Sequence, residues 1–263
     1  MLSTTQPPLQ NRERALNLAF FCFFIKKWYI QPYRLYRLTV RTRPFQGWNR
    51  GSIPRRVTRK KNMDLKSTYN KIADDWFKDH KEDNWWRAGT DKFISLLPKG
   101  ATVLDVGCGA GMKSKYLLDK GLKATGMDFS EKMIGIAKRE YSDIDFFVGD
   151  VYELSSYKNK FDAVFAQAVL LHVPKDKVLK VLEQLRNKLK PGGLLYLAVK
   201  EVKADGKEEK VLKESDYGYE YERFFSFFTL PEIKDYIGKL ELKLVWENIT
   251  TSGRTNWIQV IAQ

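Results

Sequence analysis

The sequence has too few cysteines and histidines for a disulfide framework or a zinc centre. It contains two cysteines, Cys22 and Cys108, and two histidines, His80 and His172. A structural zinc needs four ligands and a disulfide scaffold needs several cysteine pairs, so both classes are excluded. No apolar run reaches the roughly 18–20 residues that span a bilayer. We expect a soluble, cytoplasmic globular protein that binds no metal.

The chain also lacks acidic residues at its start. Residues 1–62 hold 14 Lys and Arg against one acid, Glu13, whereas residues 63–263 hold 32 basic and 31 acidic residues. Ten of the first 14 cations are Arg. Of the net charge of +14, +13 therefore belongs to the extension, and for the nearly neutral remainder we do not expect a nucleic-acid partner.

The basic extension has three interpretations. Its short apolar run, residues 18–25, fits a targeting peptide, but no small-residue cleavage site follows it. The abrupt change in Arg and Lys usage favours an over-extended reading frame whose true start is Met63. The third interpretation is a basic arm for nucleic acid. We predict that residues 1–62 are disordered and that residues 63–263 form the domain.

After Met63, short apolar runs alternate with amphipathic stretches, as is typical of a parallel sheet with crossover helices. Helices are predicted over 112–120, from 130, over 175–189 and over 229–240. The predicted strands are 102–106, 123–127, 144–148, 161–166, 194–199, 242–249 and 256–262. The last connection is too short for a helix, so the last strand must be antiparallel. The predicted fold is an α/β Rossmann-like sheet of seven strands, mostly parallel, with helices on both faces.

A glycine turn follows the first strand in the sequence VLDVGCGAG, residues 103–111. Glycines between a strand and a helix let a ligand approach the backbone. The dinucleotide pattern G-x-G-x-x-G requires glycine at position 112, where the chain has Met112. Asp105 would repel a pyrophosphate and suits a ligand with positive charge. A nicotinamide dinucleotide is therefore disfavoured.

These residues, with four further motifs, resemble the class I S-adenosylmethionine-dependent methyltransferases. The motifs arrive in order as GMDFS (126–130), VGDV (148–151), FDAVFA (161–166) and LKPGG (189–193). The resemblance covers roughly residues 69–263. It implies that S-adenosyl-L-methionine is the cofactor and that the protein is a methyltransferase.

The resemblance also implies roles for individual residues. Gly107 and Gly109 would present backbone amides to the methionine carboxylate, and Asp128 would accept both ribose hydroxyls. Asp150 would accept the adenine amine, and the Val151 backbone would contact the same ring. The other implied cofactor contacts are Asp105, Cys108, Gly111, Phe129, Met133, Ala166 and Gln167.

Methyl transfer from a sulfonium needs alignment and exclusion of water more than acid–base help. A base is required only when the acceptor loses a proton, and His172, after the fourth strand, is the candidate catalytic base or substrate contact. The alternative is a structural role at the start of the next helix.

Two segments are candidate lids over the site. The resemblance implies that residues 69–76 fold over the cofactor with Tyr69 and Trp76 as closing aromatics, although amphipathic packing explains them equally. The insertion 201–228 ends in tyrosines that alternate with acids, which fits an acceptor pocket or an exposed strand with one apolar face. The candidate substrate residues are Glu201, Tyr219, Tyr221 and Arg223.

The class of acceptor molecule is narrowed by two sequence features that this chain lacks. Nucleobase amino-methylating enzymes usually carry an Asn/Asp-Pro-Pro-aromatic run after the fourth strand, where this chain has Ala-Gln-Ala-Val. Carbon-5 methylation of pyrimidines needs a free catalytic cysteine, and Cys108 is already part of the glycine turn. We therefore expect a small-molecule acceptor. The alternatives are an RNA-associated methyltransferase that uses the basic extension and a cofactor-binding module without catalysis.

Overall fold

The computed structural model describes residues 64–263, so the predictions for residues 1–62 lie outside it. In chain order its elements are α1 (Leu65–His80), α2 (Arg87–Ser95), β1 (Thr102–Val106), α3 (Met112–Asp119), β2 (Lys123–Asp128), α4 (Glu131–Glu140), β3 (Asp145–Val148), β4 (Phe161–Gln167), α5 (Val178–Arg186), β5 (Leu189–Lys200), β6 (Glu209–Glu214), β7 (Tyr221–Ser226), α6 (Leu230–Lys239), β8 (Leu244–Ser252) and β9 (Thr255–Ala262). Among these described helices, none is long and apolar enough to cross a membrane.

The main sheet has seven strands in the order β3-β2-β1-β4-β5-β9-β8. Strands β1 to β5 pair in parallel, and β9 is antiparallel to both β5 and β8. The predicted fold class is confirmed, including the antiparallel last strand. The chain moves outward in one direction from β1 and in the other from β4, so a crevice opens at the carboxyl ends of these two strands.

Helices cover both faces of the sheet, because alternate residues of a strand point to opposite sides. In β1, Leu104 lies in a buried cluster with side chains of α5 and α6. Its neighbour Val103 lies in a second cluster with Phe93 of α2 and Leu117 of α3. The sheet is therefore the middle of three layers, and its carboxyl edge remains available for a site.

Two predicted helix starts are confirmed, and one predicted helix is shorter than expected. Ser130 caps α4 by accepting from the Met133 amide, and Thr229 forms a capping box at α6. Residues 175–177 form a 3-10 turn, and α5 ends at Arg186 rather than at 189. The reason is that Leu189 already pairs with β4, so the chain has entered the sheet.

The insertion between β5 and α6 forms a second, two-stranded antiparallel sheet of β6 and β7. Six residue pairs join the two strands, from Glu209 opposite Ser226 to Glu214 opposite Tyr221. The sequence interpretation of the tyrosine-rich segment as a strand predicts β7, whereas β6 is not predicted.

Replacing Gly111 with alanine should destabilise the fold. Its φ of 85° lies in the left-handed region, and a Cβ there would lie 2.8 Å from Cζ of Phe146 and 3.0 Å from Cβ of Ala137. We expect Gly111→Ala to lower the free energy of unfolding by about 2 kcal/mol in urea denaturation. The control Gly135→Ala, in open space on α4, should instead raise it by about 0.5–1 kcal/mol. Similar effects at both positions would contradict this account.

Candidate active site

A cavity of about 1100 Å³ opens at the carboxyl edge of the parallel strands. Small-molecule sites usually measure roughly 300–1,000 Å³, so this one has room for a cofactor and a second molecule side by side. Its wall includes the turn after β1, the ends of β2, β4 and β5, helix α1 and strand β7.

The cavity brings together most of the residues that the sequence nominates. Those that line it are Tyr69, Trp76, Gly107, Cys108, Gly109, Asp128, Phe129, Met133, Asp150, Val151, Gln167, His172 and Arg223. Six nominated residues are not among the described residues that line it, namely Asp105, Gly111, Ala166, Glu201, Tyr219 and Tyr221.

The glycine turn does not present its amides to the cavity as the resemblance implies. The Gly107 amide donates to the Met127 carbonyl oxygen at 2.7 Å, and the Gly109 amide donates to Oδ2 of Asp128 at 3.0 Å. The turn is therefore tied to the end of β2, which fixes the Asp128 carboxylate beside it. Cys108 is buried, and burial raises the pKa of its thiol well above its usual value, so the thiol is inert.

Asp128 lies at the end of β2 with its carboxylate in the cavity wall. Oδ2 accepts from Gly109, and Oδ1 accepts from the Ser130 amide at 2.9 Å. Burial raises the pKa of Asp128 to about 6, although these amides favour the ionised form. Each oxygen keeps a lone pair, so the carboxylate can accept two further hydrogen bonds from a ligand.

Asp105 lies inside the fold behind the glycine turn and is not among the described residues that line the cavity. It is 1% exposed and accepts a hydrogen bond from Oγ of Ser114 at 2.6 Å. Gly111 and Ala166 are likewise buried beside the cavity: Gly111 packs near Phe146, and Ala166 lies within the core cluster of the α5 face.

The amide of Gln167 is a buried polar group without a partner. The residue is 3% exposed, and neither its nitrogen nor its oxygen has a hydrogen-bond partner among the described residues. An unpaired buried amide costs about 1–3 kcal/mol, and because Gln167 lines the cavity, a ligand bound there can supply the missing hydrogen bonds. The next residue, Ala168, has a φ of 61°, a strained conformation that is typical of functional sites.

His172 forms a chain of hydrogen bonds that links helix α1 to strand β7 in the cavity wall. Nδ1 lies 2.8 Å from the Phe224 carbonyl oxygen, to which it donates, and Nε2 lies 2.7 Å from the Tyr69 hydroxyl, which donates to it. Burial, together with the nearby cations Arg223 and Lys200, lowers the pKa of His172 to about 3. The imidazole is neutral at physiological pH and is a weak base.

Helix α1 and strand β7 contact each other above the cavity. The Thr68 hydroxyl donates to the Glu222 carbonyl oxygen at 3.2 Å, and the Lys71 ammonium donates to that of Glu220 at 2.9 Å. The Tyr219 hydroxyl donates to Asp75 at 2.8 Å. Tyr219, in the turn before β7, therefore joins that turn to α1 and is not among the described residues that line the cavity.

Two other nominated residues have structural partners. Tyr221 is buried and stacks on Tyr217 at 5.5 Å. Glu201 accepts from the Asn256 side-chain amide at 2.9 Å. By contrast Trp76, on the inner face of α1, lies against the glycine turn, since a Cβ on Gly109 would be 3.6 Å from its ring.

Sequence reasoning missed two lysines in the cavity wall, Lys113 at the start of α3 and Lys200 at the end of β5. Burial lowers the pKa of both amines, to about 8 for Lys200. A signal was present, because Lys200 directly follows a predicted strand and Lys113 lies two residues after the end of the glycine turn. Surface lysines are so common, however, that this position alone does not distinguish a lysine of the cavity wall from a surface lysine.

Part of the chain matches a known family. Residues 103–193 match the protein-family model described as a methyltransferase domain. A demethylmenaquinone methyltransferase of Renibacterium salmoninarum is 38% identical over 113 residues, 43% of this chain and 46% of that protein. A ubiquinone biosynthesis O-methyltransferase of Coxiella burnetii is 31% identical over 139 residues, 46% of this chain and 58% of that protein. The chain spans about half the length of the curated relatives it matches.

Solved structures share the fold over a longer stretch. The 1,6-didemethyltoxoflavin-N1-methyltransferase of Burkholderia thailandensis, solved with 1,6-didemethyltoxoflavin and S-adenosylhomocysteine, superposes with a TM-score of 0.61 and 20% identity over 75% of this chain and 86% of that one. The magnesium protoporphyrin IX methyltransferase of Synechocystis, solved with S-adenosylmethionine, superposes with a TM-score of 0.58 and 19% identity. The match covers 75% of this chain and 94% of that one.

Removing the Asp105 charge should stabilise the protein at neutral pH. Burial raises the pKa of this carboxyl from 3.8 to about 6, so the folded state binds its proton more tightly and stability falls as pH rises from 4 to 6. Asp105→Asn keeps an acceptor for Ser114. It should raise the free energy of unfolding by about 1–3 kcal/mol at pH 7.5 and by little at pH 4 in urea titrations. An equal loss of stability at both pH values would contradict this assignment.

Proposed function

We propose that this chain, which carries a class I S-adenosylmethionine-dependent methyltransferase domain, is an enzyme that methylates a small-molecule acceptor. The observation that carries the proposal is one cavity that holds the glycine turn, the Asp128 carboxylate and the unpaired Gln167 amide. The relatives named for menaquinone and ubiquinone biosynthesis, and the toxoflavin precursor bound in the Burkholderia enzyme, support an acceptor of small size.

The residues at one end of the cavity fit the cofactor. Asp128 can accept the two ribose hydroxyls while it stays bound to the turn, and Phe129 and Met133 offer apolar surface to the adenine. The first turn of α3 has no side-chain cap among the described residues. Its amides, together with the nearby Lys113 ammonium, attract a carboxylate. Gln167 completes the hydrogen bonds near the methionine portion.

The cofactor supplies a methyl group on a positively charged sulfur, and the chain supplies alignment and a dry site. Helix α1 lies against the turn through Trp76, and β7 lines the other end of the cavity, so both elements limit the access of water to the place where the two molecules meet. His172 fits a positioning role better than that of a base. Its pKa of about 3 makes it a poor proton acceptor, while its Nε2 fixes the Tyr69 hydroxyl in the cavity wall.

A transfer assay with radiolabelled cofactor tests this proposal. The full chain is incubated with [methyl-³H]S-adenosylmethionine and either a protein-free metabolite extract or total RNA. We expect label in the metabolite fraction. Asp128→Asn should reduce it about tenfold or more, because a charged hydrogen-bond acceptor for the ribose is lost. The control Asp235→Asn, on the exposed face of α6, should leave it unchanged.

Two results would contradict the proposal. Label in RNA alone would favour the nucleic-acid alternative that the basic extension raises. Cofactor binding without transfer to either pool would favour a binding module that does no chemistry.

A further inference from the structure

Two cations share one aromatic ring at the acceptor end of the cavity. Nζ of Lys200 lies 4.3 Å from the ring centroid of Phe225, and Cζ of Arg223 lies 5.2 Å from it. All three residues line the cavity. Lys200 ends β5 and Arg223 lies on β7, so the main sheet and the smaller sheet converge at this ring.

The two cations differ in how their charge is met. Arg223 binds Glu214 through two hydrogen bonds of 2.6 Å, a bidentate pair that neutralises it. Lys200 has no carboxylate within 4.0 Å among residues 64–263, and its contacts are the Phe225 ring and the Trp257 ring at 5.6 Å. Lys200, Arg223 and Glu214 together carry one net positive charge.

The ammonium of Lys200 is destabilised because it is partly buried and has no carboxylate partner among the residues that the structure describes. Burial and the adjacent Arg223 lower the pKa of Lys200 to about 8, which shows that its charged form is destabilised where it stands. At neutral pH it still holds its proton in most molecules. An anion that enters the cavity would therefore gain an ion pair without displacing an existing one.

The surroundings of Lys200 are flat and apolar. Trp257 lies opposite Lys200 across β5 and β9, and Trp85 stacks on Trp257 with a centroid distance of 4.1 Å. Both tryptophans, with Leu171, also line the cavity. Such a wall suits a planar ligand, since aromatic rings pack face to face or at an offset with it.

We propose that the acceptor is a planar, largely apolar small molecule with one carboxylate, which binds Lys200 beside Phe225 and Trp257. A single net charge at the site matches a monoanion better than a phosphate. This inference rests on the proposed function and specifies its substrate class. It gives Lys200 the role of a substrate-binding residue.

Matched probes that differ only in charge test the inference. Calorimetric titrations of the full chain, saturated with S-adenosylhomocysteine, compare 2-naphthoate with 2-naphthamide and benzoate with benzamide. We expect at least one acid to bind about tenfold more tightly than its amide, a difference of about 1.4 kcal/mol. Lys200→Met should abolish the preference. Lys203→Met, which removes an exposed lysine outside the cavity wall, should retain it.

The outcomes separate this inference from the proposed function. Equal affinity for acid and amide, a preference that survives Lys200→Met, or no binding of any probe to protein that binds S-adenosylhomocysteine would overturn the substrate class alone. Failure to bind S-adenosylhomocysteine would overturn the proposed function as well. Retained S-adenosylhomocysteine binding by Lys200→Met shows that the variant is folded.

Discussion

The parallel pairing of β1 with β4 is the constraint on which the site depends. These central strands end side by side, and the segments that follow them leave toward opposite ends of the sheet. The crevice between them receives the glycine turn from one strand and Gln167 from the other. Because β2 and β5 end at the same edge, Asp128 and Lys200 join them. Four separate stretches of chain thus reach one cavity through sheet register alone.

The two ends of this cavity carry different charged groups. The cofactor end holds Asp128 in the wall, with the internal carboxylate Asp105 behind the turn. The acceptor end holds Lys200 and the Arg223–Glu214 pair. Burial raises the pKa of both aspartates to about 6 and lowers that of the lysine to about 8, so each group is held at a cost to the fold. At Asp128 and Lys200, which line the cavity, a bound ligand can offset this cost, as is typical of binding sites.

Sequence patterns predict the elements of this fold better than the directions of its side chains. The seven strands of the main sheet, the glycine turn and the caps at Ser130 and Thr229 depend on short-range periodicity and turn chemistry, and the structure confirms them, although β5 begins at Leu189 rather than at 194. The bonds of the Gly107 and Gly109 amides depend on how the turn meets β2, which no local pattern encodes. The same holds for Tyr219, whose partner on α1 is 144 residues away. The alternating tyrosines predict a strand, but only Tyr221 lies in β7, whereas Tyr217 and Tyr219 lie in the turn before it.

The central claim is that the carboxyl edge of the sheet binds S-adenosylmethionine rather than a dinucleotide. Isothermal titration of the full chain with S-adenosylhomocysteine and, separately, with NADH tests it most directly. We expect saturable one-to-one binding of S-adenosylhomocysteine and none of NADH, because Met112 replaces the third dinucleotide glycine and the Asp105 carboxylate lies behind the turn. Binding of NADH, or of neither compound by folded protein, would contradict it.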